Sequence, residues 1–443
     1  MNLSRFKIFL YCLLLFTSAP ENALAVSRDE FVLHTGTPQI GEFPGRGRWT
    51  AQPHEVWLDM NSDWSLYTSS GKEIGQIGLP FCWEEFSGDL ILAKRFTISN
   101  EYSTGNIRLV VERFAQSITV MLNDIRLDTR RGDGGSFQLE IDPRTFNFDG
   151  ESNDLIITLN NELPRRAGLP LTGSIYTRKR YGGIYGGIKL VHSSLPAIQD
   201  IEARWLADGS ISVEADLRVA PWQVAQASSA ASVEISLLDR AGRMVDRRLV
   251  SDMTFPTTGG FHFNTVFPKP IESSKTFTIN CSFILIDKEI EATFNLRPQP
   301  IEIVEGRLWQ RNSADRIIIA DYIDHSSERG AIADSAQLMQ DLMLIRDLGA
   351  DAVRVWQGGG SDLLMEIAED LGLLVMLELP LNQTPDPVLR EPEFVRAAQE
   401  QAEMFISRYR RYENVAAWGV GSQIHLPSTS NRSYFNAIVS TIR

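Results

Sequence analysis

Four side chains late in the sequence have the chemistry to contact a polar ligand. Arg354 and Glu378 each lie at the end of a short apolar segment. A guanidinium and a carboxylate can bind hydroxyl or carboxylate groups of a ligand, or they can form a structural ion pair with each other. Both interpretations stay open for Arg354 and Glu378. Trp356 and Trp418 can stack on a flat ligand face or fill a core.

A second group of polar residues, Asp321, Asp324 and His325, follows another apolar stretch. Such residues can bind a metal ion when they converge, but a solvated loop explains them equally well. We predict a loop here and no metal site. No Cys or His spacing elsewhere indicates a metal, and no glycine pattern indicates a phosphate-bearing cofactor. We therefore predict that the protein needs no cofactor.

Alternating helices and short buried strands position these side chains. Helices are predicted at residues 335–348, 362–371 and 393–412, and strands at residues 352–355, 373–377 and 415–420. This alternation is typical of a parallel sheet with helical crossovers, and we count about four β/α units. Because the carboxyl ends of parallel strands share one edge, Arg354 and Glu378 are expected at that edge.

The preceding residues show a β pattern throughout. Apolar residues at period two and Gly, Asn and Asp turns predict an antiparallel sandwich or jelly roll over residues 26–196. Residues 197–299 have the length and the strands of an immunoglobulin-like sandwich. Pro298-Gln299-Pro300 predicts a rigid boundary, which leaves residues 300–443 for the β/α part. The predicted fold class is multidomain, β followed by α/β.

The first 25 residues have the features of a signal peptide. Arg5 and Lys7 precede an apolar run from Ile8 to Phe16, and Ala23-Leu24-Ala25 is a pattern after which signal peptidase cleaves. The run is too short to span a bilayer. We therefore predict an exported protein, periplasmic or extracellular, with no membrane span.

The net charge narrows the classes of ligand that the chain is expected to bind, and the positions of its cysteines bear on disulfide formation. The formal net charge is −13, which disfavours binding to nucleic acid or to an anionic membrane and suits a neutral ligand better. Cys82 and Cys281 lie in different predicted domains, so we expect two small buried side chains and no disulfide.

Five motifs occur in an order that resembles the glycoside hydrolases of family 2, the β-galactosidases, β-glucuronidases and β-mannosidases. They are the segment VMLND at 120–124, GGIY at 182–185, LGADAVRVW at 348–356, EDLGLLVMLELP at 369–380 and AAWGVGSQ at 416–423. The resemblance covers nearly the whole chain after residue 25. It implies a jelly roll, an immunoglobulin-like domain and a TIM-type barrel, and a protein that acts on or binds β-linked carbohydrate.

The resemblance also implies that the catalytic acid/base is missing. In the family, the fourth barrel strand ends on an asparagine followed by the catalytic glutamate, and this sequence has Ser422-Gln423 there. A glutamine amide can neither donate the proton nor act as the base. No Asp or Glu lies between Asn414 and Arg443 to replace it. The substrate-binding candidates are then Arg354, Glu378, Trp356 and Trp418.

The β/α part is also shorter than a closed barrel, which takes about 250 residues. The family's nucleophile lies on a late strand beyond residue 443, and four units make half a barrel. We expect either that the other half comes from elsewhere, for example a partner chain or an oligomer, or that the chain is a truncated product. Three functions stay open: a diverged glycoside hydrolase with negligible activity, a non-catalytic carbohydrate-binding protein, and a protein-interaction module.

Overall fold

The computed structural model describes most of the chain after residue 54. The described residues are 32–36, 55–84, 86–132, 135–162, 181–193, 197–206, 208–219, 224–251, 253–257, 259–268, 276–285, 288–296, 301–304, 307–310, 317–325, 328–356, 359–410, 412, 414–425, 427–429 and 431–442. The predicted signal peptide at residues 1–25 lies outside them.

Thirteen strands form the first β region. They are β1 Val32–Thr35, β2 Glu55–Asp59, β3 Trp64–Thr68, β4 Glu73–Ile77, β5 Phe81–Glu84, β6 Asp89–Phe96, β7 Asn106–Ala115, β8 Ser117–Leu122, β9 Ile125–Arg131, β10 Gly135–Ile141, β11 Asn153–Asn160, β12 Gly182–Ile184 and β13 Ile188–Ser193.

These strands make two sheets around one apolar core. Seven strands form one sheet in the order β1-β5-β12-β7-β13-β2, with β10 paired to β7, and six form the other in the order β4-β3-β6-β11-β8-β9. Both sheets contribute to the core, which includes Trp64, Phe81 and Phe114. In β11 the residues alternate between buried and half-buried, as the period-two pattern predicts for a strand with one face on a core.

The second β region contains seven strands and one short helix. They are β14 Ala197–Trp205, β15 Ile211–Arg218, α1 Val224–Ala230, β16 Ala231–Asp239, β17 Met244–Val250, β18 Gly260–Phe267, β19 Phe277–Leu285 and β20 Lys288–Leu296. One antiparallel sheet has the order β14-β15-β18 and the other β17-β16-β19-β20. Their shared core includes Phe267, Ile279 and Phe283. The sequence pattern predicts strands near residues 198–205, 210–219, 232–239 and 276–286, which correspond to β14, β15, β16 and β19, and it misses the other three.

A parallel sheet with helices follows. After a hairpin of β21 Ile301–Val304 and β22 Arg307–Gln310, the elements are β23 Ile319–Tyr322, α2 Ser335–Asp347, β24 Ala352–Val355, α3 Asp362–Asp370, β25 Leu374–Glu378, α4 Asp386–Leu389, α5 Pro392–Tyr409, β26 Val415–Gly419 and α6 Arg432–Ile442. The order β23-β24-β25-β26 is parallel throughout. The prediction of a β-rich part followed by four parallel strands with crossover helices is confirmed.

The first two crossover helices begin at side-chain caps and end at glycines. The Asp334 carboxylate accepts from the Gln337 N–H at the start of α2, and the Ser361 hydroxyl accepts from the Leu364 N–H at the start of α3. Gly349 and Gly372 follow the helix ends with φ of +89° and +73°, conformations that glycine adopts without a Cβ clash. Helix α5 ends at Tyr409, three residues before the predicted end.

The two cysteines that the structure describes are buried, as expected, and they form no disulfide with each other. They lie in different β regions, Cys82 on β5 and Cys281 on β19. Burial raises the pKa of the Cys281 thiol to about 12, so this side chain stays protonated at physiological pH and serves as a small apolar group.

The GGIY motif has a steric explanation. Strand β12 is wedged between β5 and β7, and a Cβ at Gly182 would overlap the indole ring of fully buried Trp83. Gly183 has φ of +133° and lies against the backbone of Phe81 and Cys82. Both positions therefore require glycine because of a close approach by a neighbouring strand.

We predict that Gly182→Ala destabilises the first β region by about 1–3 kcal/mol, the usual cost of overpacking a core. The measurement is the urea midpoint of unfolding. Gly78→Ala is the matched control, because a Cβ there would meet only the Asn61 carbonyl oxygen at an ordinary 3.6 Å. Equal midpoints for the two variants would contradict the steric explanation.

Candidate functional site

The carboxyl ends of the four parallel strands bring the polar candidates together. Side chains that pair across neighbouring strands point to the same side of the sheet. Asp321 pairs with Arg354, and Arg354 pairs with Met376, so these side chains share one face. The opposite face carries Val355 and Leu377, which are completely buried against the helices.

Arg354 forms ion pairs with two carboxylates. Its Nε lies 2.9 Å from Asp321 Oδ1, and the terminal NH2 group donates to Asp321 Oδ2 at 3.1 Å. Glu378 Oε2 is farther from Nε, at 3.9 Å. The ion pair between Arg354 and Glu378 therefore exists, but Asp321 is the nearer partner. Asp321 was predicted in a loop; it lies within β23 instead.

The loops after β25 and β26 run side by side and present two amides. Ser422 N–H donates to the Leu381 carbonyl at 2.8 Å, and Gln383 N–H donates to the Ser422 carbonyl at 3.1 Å. Gln383 and Gln423 both have φ of +50°, a conformation that costs a non-glycine residue roughly 1–2 kcal/mol. The Gln383 amide donates to Gln423 Oε1 at 2.7 Å. Two adjacent loops thus hold equivalent glutamines in the same unusual conformation.

Trp356 joins the strand-end residues to the Ser422-Gln423 segment. Its indole N–H donates to the Ser422 hydroxyl at 2.9 Å, which fixes the orientation of the ring. The ring is half-buried, so part of it stays accessible. We call this group the strand-end site; its residues are Asp321, Arg354, Trp356, Glu378, Gln383, Ser422 and Gln423.

Trp418 does not belong to the strand-end site. It pairs with Leu377 on the helix-facing side of the sheet, and its ring contacts Phe405 of α5 with 6.0 Å between centroids. The sequence left two interpretations open for Trp418, and its position here fits that of a core residue, because one residue of strand register reverses the direction of a side chain.

The residues after β23 are held by the first β region. Asp324 is buried, and its Oδ2 accepts from the Gly360 N–H at 3.1 Å and lies 3.4 Å from the Arg113 guanidinium. The His325 ring lies 6.1 Å from the Tyr181 ring. The expected solvated loop is therefore a buried contact at Asp324. The sequence could not reveal this, because Arg113 lies more than 200 residues away in the chain.

A buried ionic network fixes the same two regions to each other. Lys189 Nζ lies 3.1 Å from Glu112 Oε1, Arg408 lies 3.9 Å from Glu112 Oε2, and Arg408 also pairs with Asp362. The side chains of Lys189, Glu112 and Arg408 are all less than a tenth exposed. Burial lowers the pKa of Lys189 while Glu112 opposes that shift, and burial raises the pKa of Asp362 while Arg408 opposes it.

Membrane and metal features are not found in the parts of the chain that the structure describes. No helix there has both the length and the apolar character that a membrane crossing needs. No three His, Cys, Asp or Glu residues converge there in a way that suits a metal ion.

Known proteins that are similar to this chain belong to the group that the five motifs indicate. A β-galactosidase from Vibrio cholerae is 23% identical over 271 residues, which are 57% of this chain and 26% of that protein. No family model matches the sequence. The chain thus spans about a quarter of the curated relative it matches.

Solved structures share the fold over most of the chain. A Bacteroides fragilis protein assigned as a β-galactosidase superposes with a TM-score of 0.73 at 19% identity, over 88% of this chain and 62% of that one. A β-glucuronidase from Dictyoglomus thermophilum gives 0.67 at 16% identity, over 89% and 71%. A β-glucuronidase from Bacteroides uniformis gives 0.66 at 12% identity, over 87% and 50%. The resemblance in fold to the β-galactosidase and β-glucuronidase group is confirmed.

We predict that Arg408→Met destabilises the protein by about 3–5 kcal/mol, because it leaves the buried Glu112 without one of its two cations and Asp362 without its guanidinium. Arg396→Met is the control on the same helix: Arg396 is 74% exposed and lies 4.0 Å from Glu400, so its loss should cost less than about 1 kcal/mol. Urea unfolding measures both. An equally small effect for Arg408→Met would contradict a structural role for the network.

Proposed function

We propose that the strand-end site binds a β-linked saccharide and that it does not hydrolyse the glycosidic bond through residue 423. The fold shared with β-galactosidases and β-glucuronidases supports the saccharide class. The position of the site, at the carboxyl ends of parallel strands, is the usual position of ligand sites in β/α barrels.

The observation that carries the proposal is the Gln423 amide. Its Oε1 accepts a hydrogen bond from Gln383, so the side chain is part of an ordered amide pair. Retaining hydrolysis needs two carboxyl groups about 5–5.5 Å apart, one of which protonates the leaving group. An amide has no such proton, and the loss of general acid/base catalysis typically costs 10²–10⁴-fold in rate.

The remaining groups of the site suit recognition of a sugar. Trp356 offers an indole face, held in place by Ser422, on which the apolar face of a sugar ring can stack. The amide pair offers neutral donors and acceptors that match hydroxyl groups. Glu378 is buried and already close to Arg354, so it serves better as part of the support of the site than as a proton donor.

The finer architecture forms part of this proposal. We assign residues 26–196 to a jelly-roll domain, 197–299 to an immunoglobulin-like domain and 300–443 to part of a TIM-type barrel. We further propose that residues 1–25 are a signal peptide and that the protein is exported. The two pairs of antiparallel sheets and the parallel sheet support the domain assignment.

A protein-interaction role is the second candidate, and exposed apolar side chains near β23 favour it. Leu348 is 79% exposed, Leu344 60% and Ile318 59%. Such residues are typical of a surface that contacts other protein. Absence of saccharide binding together with concentration-dependent self-association would favour this candidate.

We predict that Gln423→Ala weakens saccharide binding by roughly 3- to 10-fold, the equivalent of one or two lost hydrogen bonds. Isothermal titration with an aryl β-galactoside and an aryl β-glucoside measures the affinity. Gln76→Ala is the matched control, because Gln76 is an exposed glutamine on β4 that also donates to a neighbouring side chain, at 2.7 Å to Ser65. Equal affinities for the two variants would place the ligand elsewhere.

A further inference from the structure

We infer that the strand-end site selects uncharged β-hexosides and rejects the corresponding hexuronides, the sugars that carry a carboxylate at C6. This inference rests on the proposed saccharide-binding function. The fold alone does not distinguish neutral hexosides from hexuronides as ligands, since β-galactosidases and β-glucuronidases both occur among the similar structures.

The net charge of the site disfavours a negatively charged ligand. Arg354 is the one cation that the described residues place among its seven members, and Asp321 and Glu378 bring two carboxylates. The net charge of this trio is −1. The next charged groups along the two adjacent loops, Asp386 and His425, pair with each other at 3.2 Å and add no surplus positive charge. A ligand carboxylate therefore meets repulsion at this site.

The geometry of Arg354 also disfavours a ligand carboxylate. Its Nε and one terminal NH2 group both face the Asp321 carboxylate, at 2.9 and 3.1 Å. The NH2 group donates to Asp321, and the Asp321 carboxylate occupies the side of the guanidinium on which Nε and this NH2 group could bind a ligand carboxylate in the bidentate mode. A hexuronide would have to displace Asp321 to reach them, and it would then leave that carboxylate beside its own.

The neutral amide pair of Gln383 and Gln423 favours hydroxyl groups over a carboxylate. The hydrogen bond between Gln383 and Gln423 leaves one amide oxygen on Gln383 and an NH2 group on Gln423 for a ligand. If both amides are flipped, the pair still presents one acceptor and one donor. A hydroxyl group can both donate and accept, whereas a carboxylate only accepts, so neighbouring hydroxyl groups fit this pair better.

The test compares sugars that differ only at C6. The ligands are 4-nitrophenyl β-galactoside against its galacturonide and 4-nitrophenyl β-glucoside against its glucuronide, titrated at low ionic strength. We expect the neutral member of at least one pair to bind about tenfold or more tightly than its uronide. The difference should shrink at high salt, because salt screens the repulsion.

Asp321→Asn tests the cause. This variant removes one of the two carboxylates and frees the donors of Arg354, so the affinity for the uronide relative to that for the neutral sugar should rise severalfold. Asp347→Asn is the control. Asp347 is 61% exposed, pairs with Arg346 and is the last residue of α2, outside the strand-end site. Because Asp321 is 65% exposed, the substitution should leave folding intact.

The possible outcomes distinguish a failure of the selectivity from a failure of saccharide binding itself. Equal or tighter binding of the uronides to the wild-type protein, or no gain in relative uronide affinity from Asp321→Asn, would overturn the selectivity and leave saccharide binding in place. No binding of either class at millimolar concentration would overturn the proposed function and the selectivity together.

Discussion

Arg408 is a guanidinium that is almost completely removed from water, and a charge in such a position requires compensation by carboxylates. Asp362 at the start of α3 and Glu112 on β7 supply that compensation, and Lys189 on β13 satisfies the other oxygen of Glu112. The network therefore connects the first β region to the helices that cover the parallel sheet. The relative position of these two regions is specified by charges that cannot separate without leaving one of them buried and unpaired.

The strand-end site depends on this arrangement. Arg113 of β7 reaches the buried Asp324, whose carboxylate also accepts from Gly360, so one side chain of the first β region helps to hold the loops after β23 and β24. The loops after β25 and β26 are joined to each other by backbone hydrogen bonds, and Trp356 connects them to β24. A site assembled from the ends of three strands and the loops after β24, β25 and β26 is held in place by the sheet on one side and by a separate β region on the other.

Much of the fold was predictable because it follows from local chemistry. Apolar periodicity, the caps at Asp334 and Ser361 and the glycines at 349 and 372 define the crossover helices within the sequence itself. The strands of the second β region were harder to predict. Strand β17 has no buried residue, so its pattern lacks a core-facing side. Which face of a sheet a strand-end residue occupies depends on register, and this is why Arg354 lies with the other polar candidates while Trp418 packs on the helix-facing side.

The polar contacts of the site were only partly predictable. The motif containing Ser422-Gln423 drew attention to the position, but nothing in the sequence indicated that Gln383 would occupy the equivalent place in the preceding loop with the same positive φ. The nearer partner of Arg354 was missed for a similar reason. Asp321 and Arg354 lie 33 residues apart, and the hydrogen-bond register of β23 and β24 brings them together.

We propose that this site binds a saccharide without a proton-transfer step at residue 423. Binding of a 4-nitrophenyl β-galactoside and a 4-nitrophenyl β-glucoside and release of 4-nitrophenol should be measured in the same samples of wild-type protein. We expect saturable binding with no release above the uncatalysed rate. Release by the wild-type protein that is abolished by Gln423→Ala would contradict it, because the amide would then take part in the chemistry.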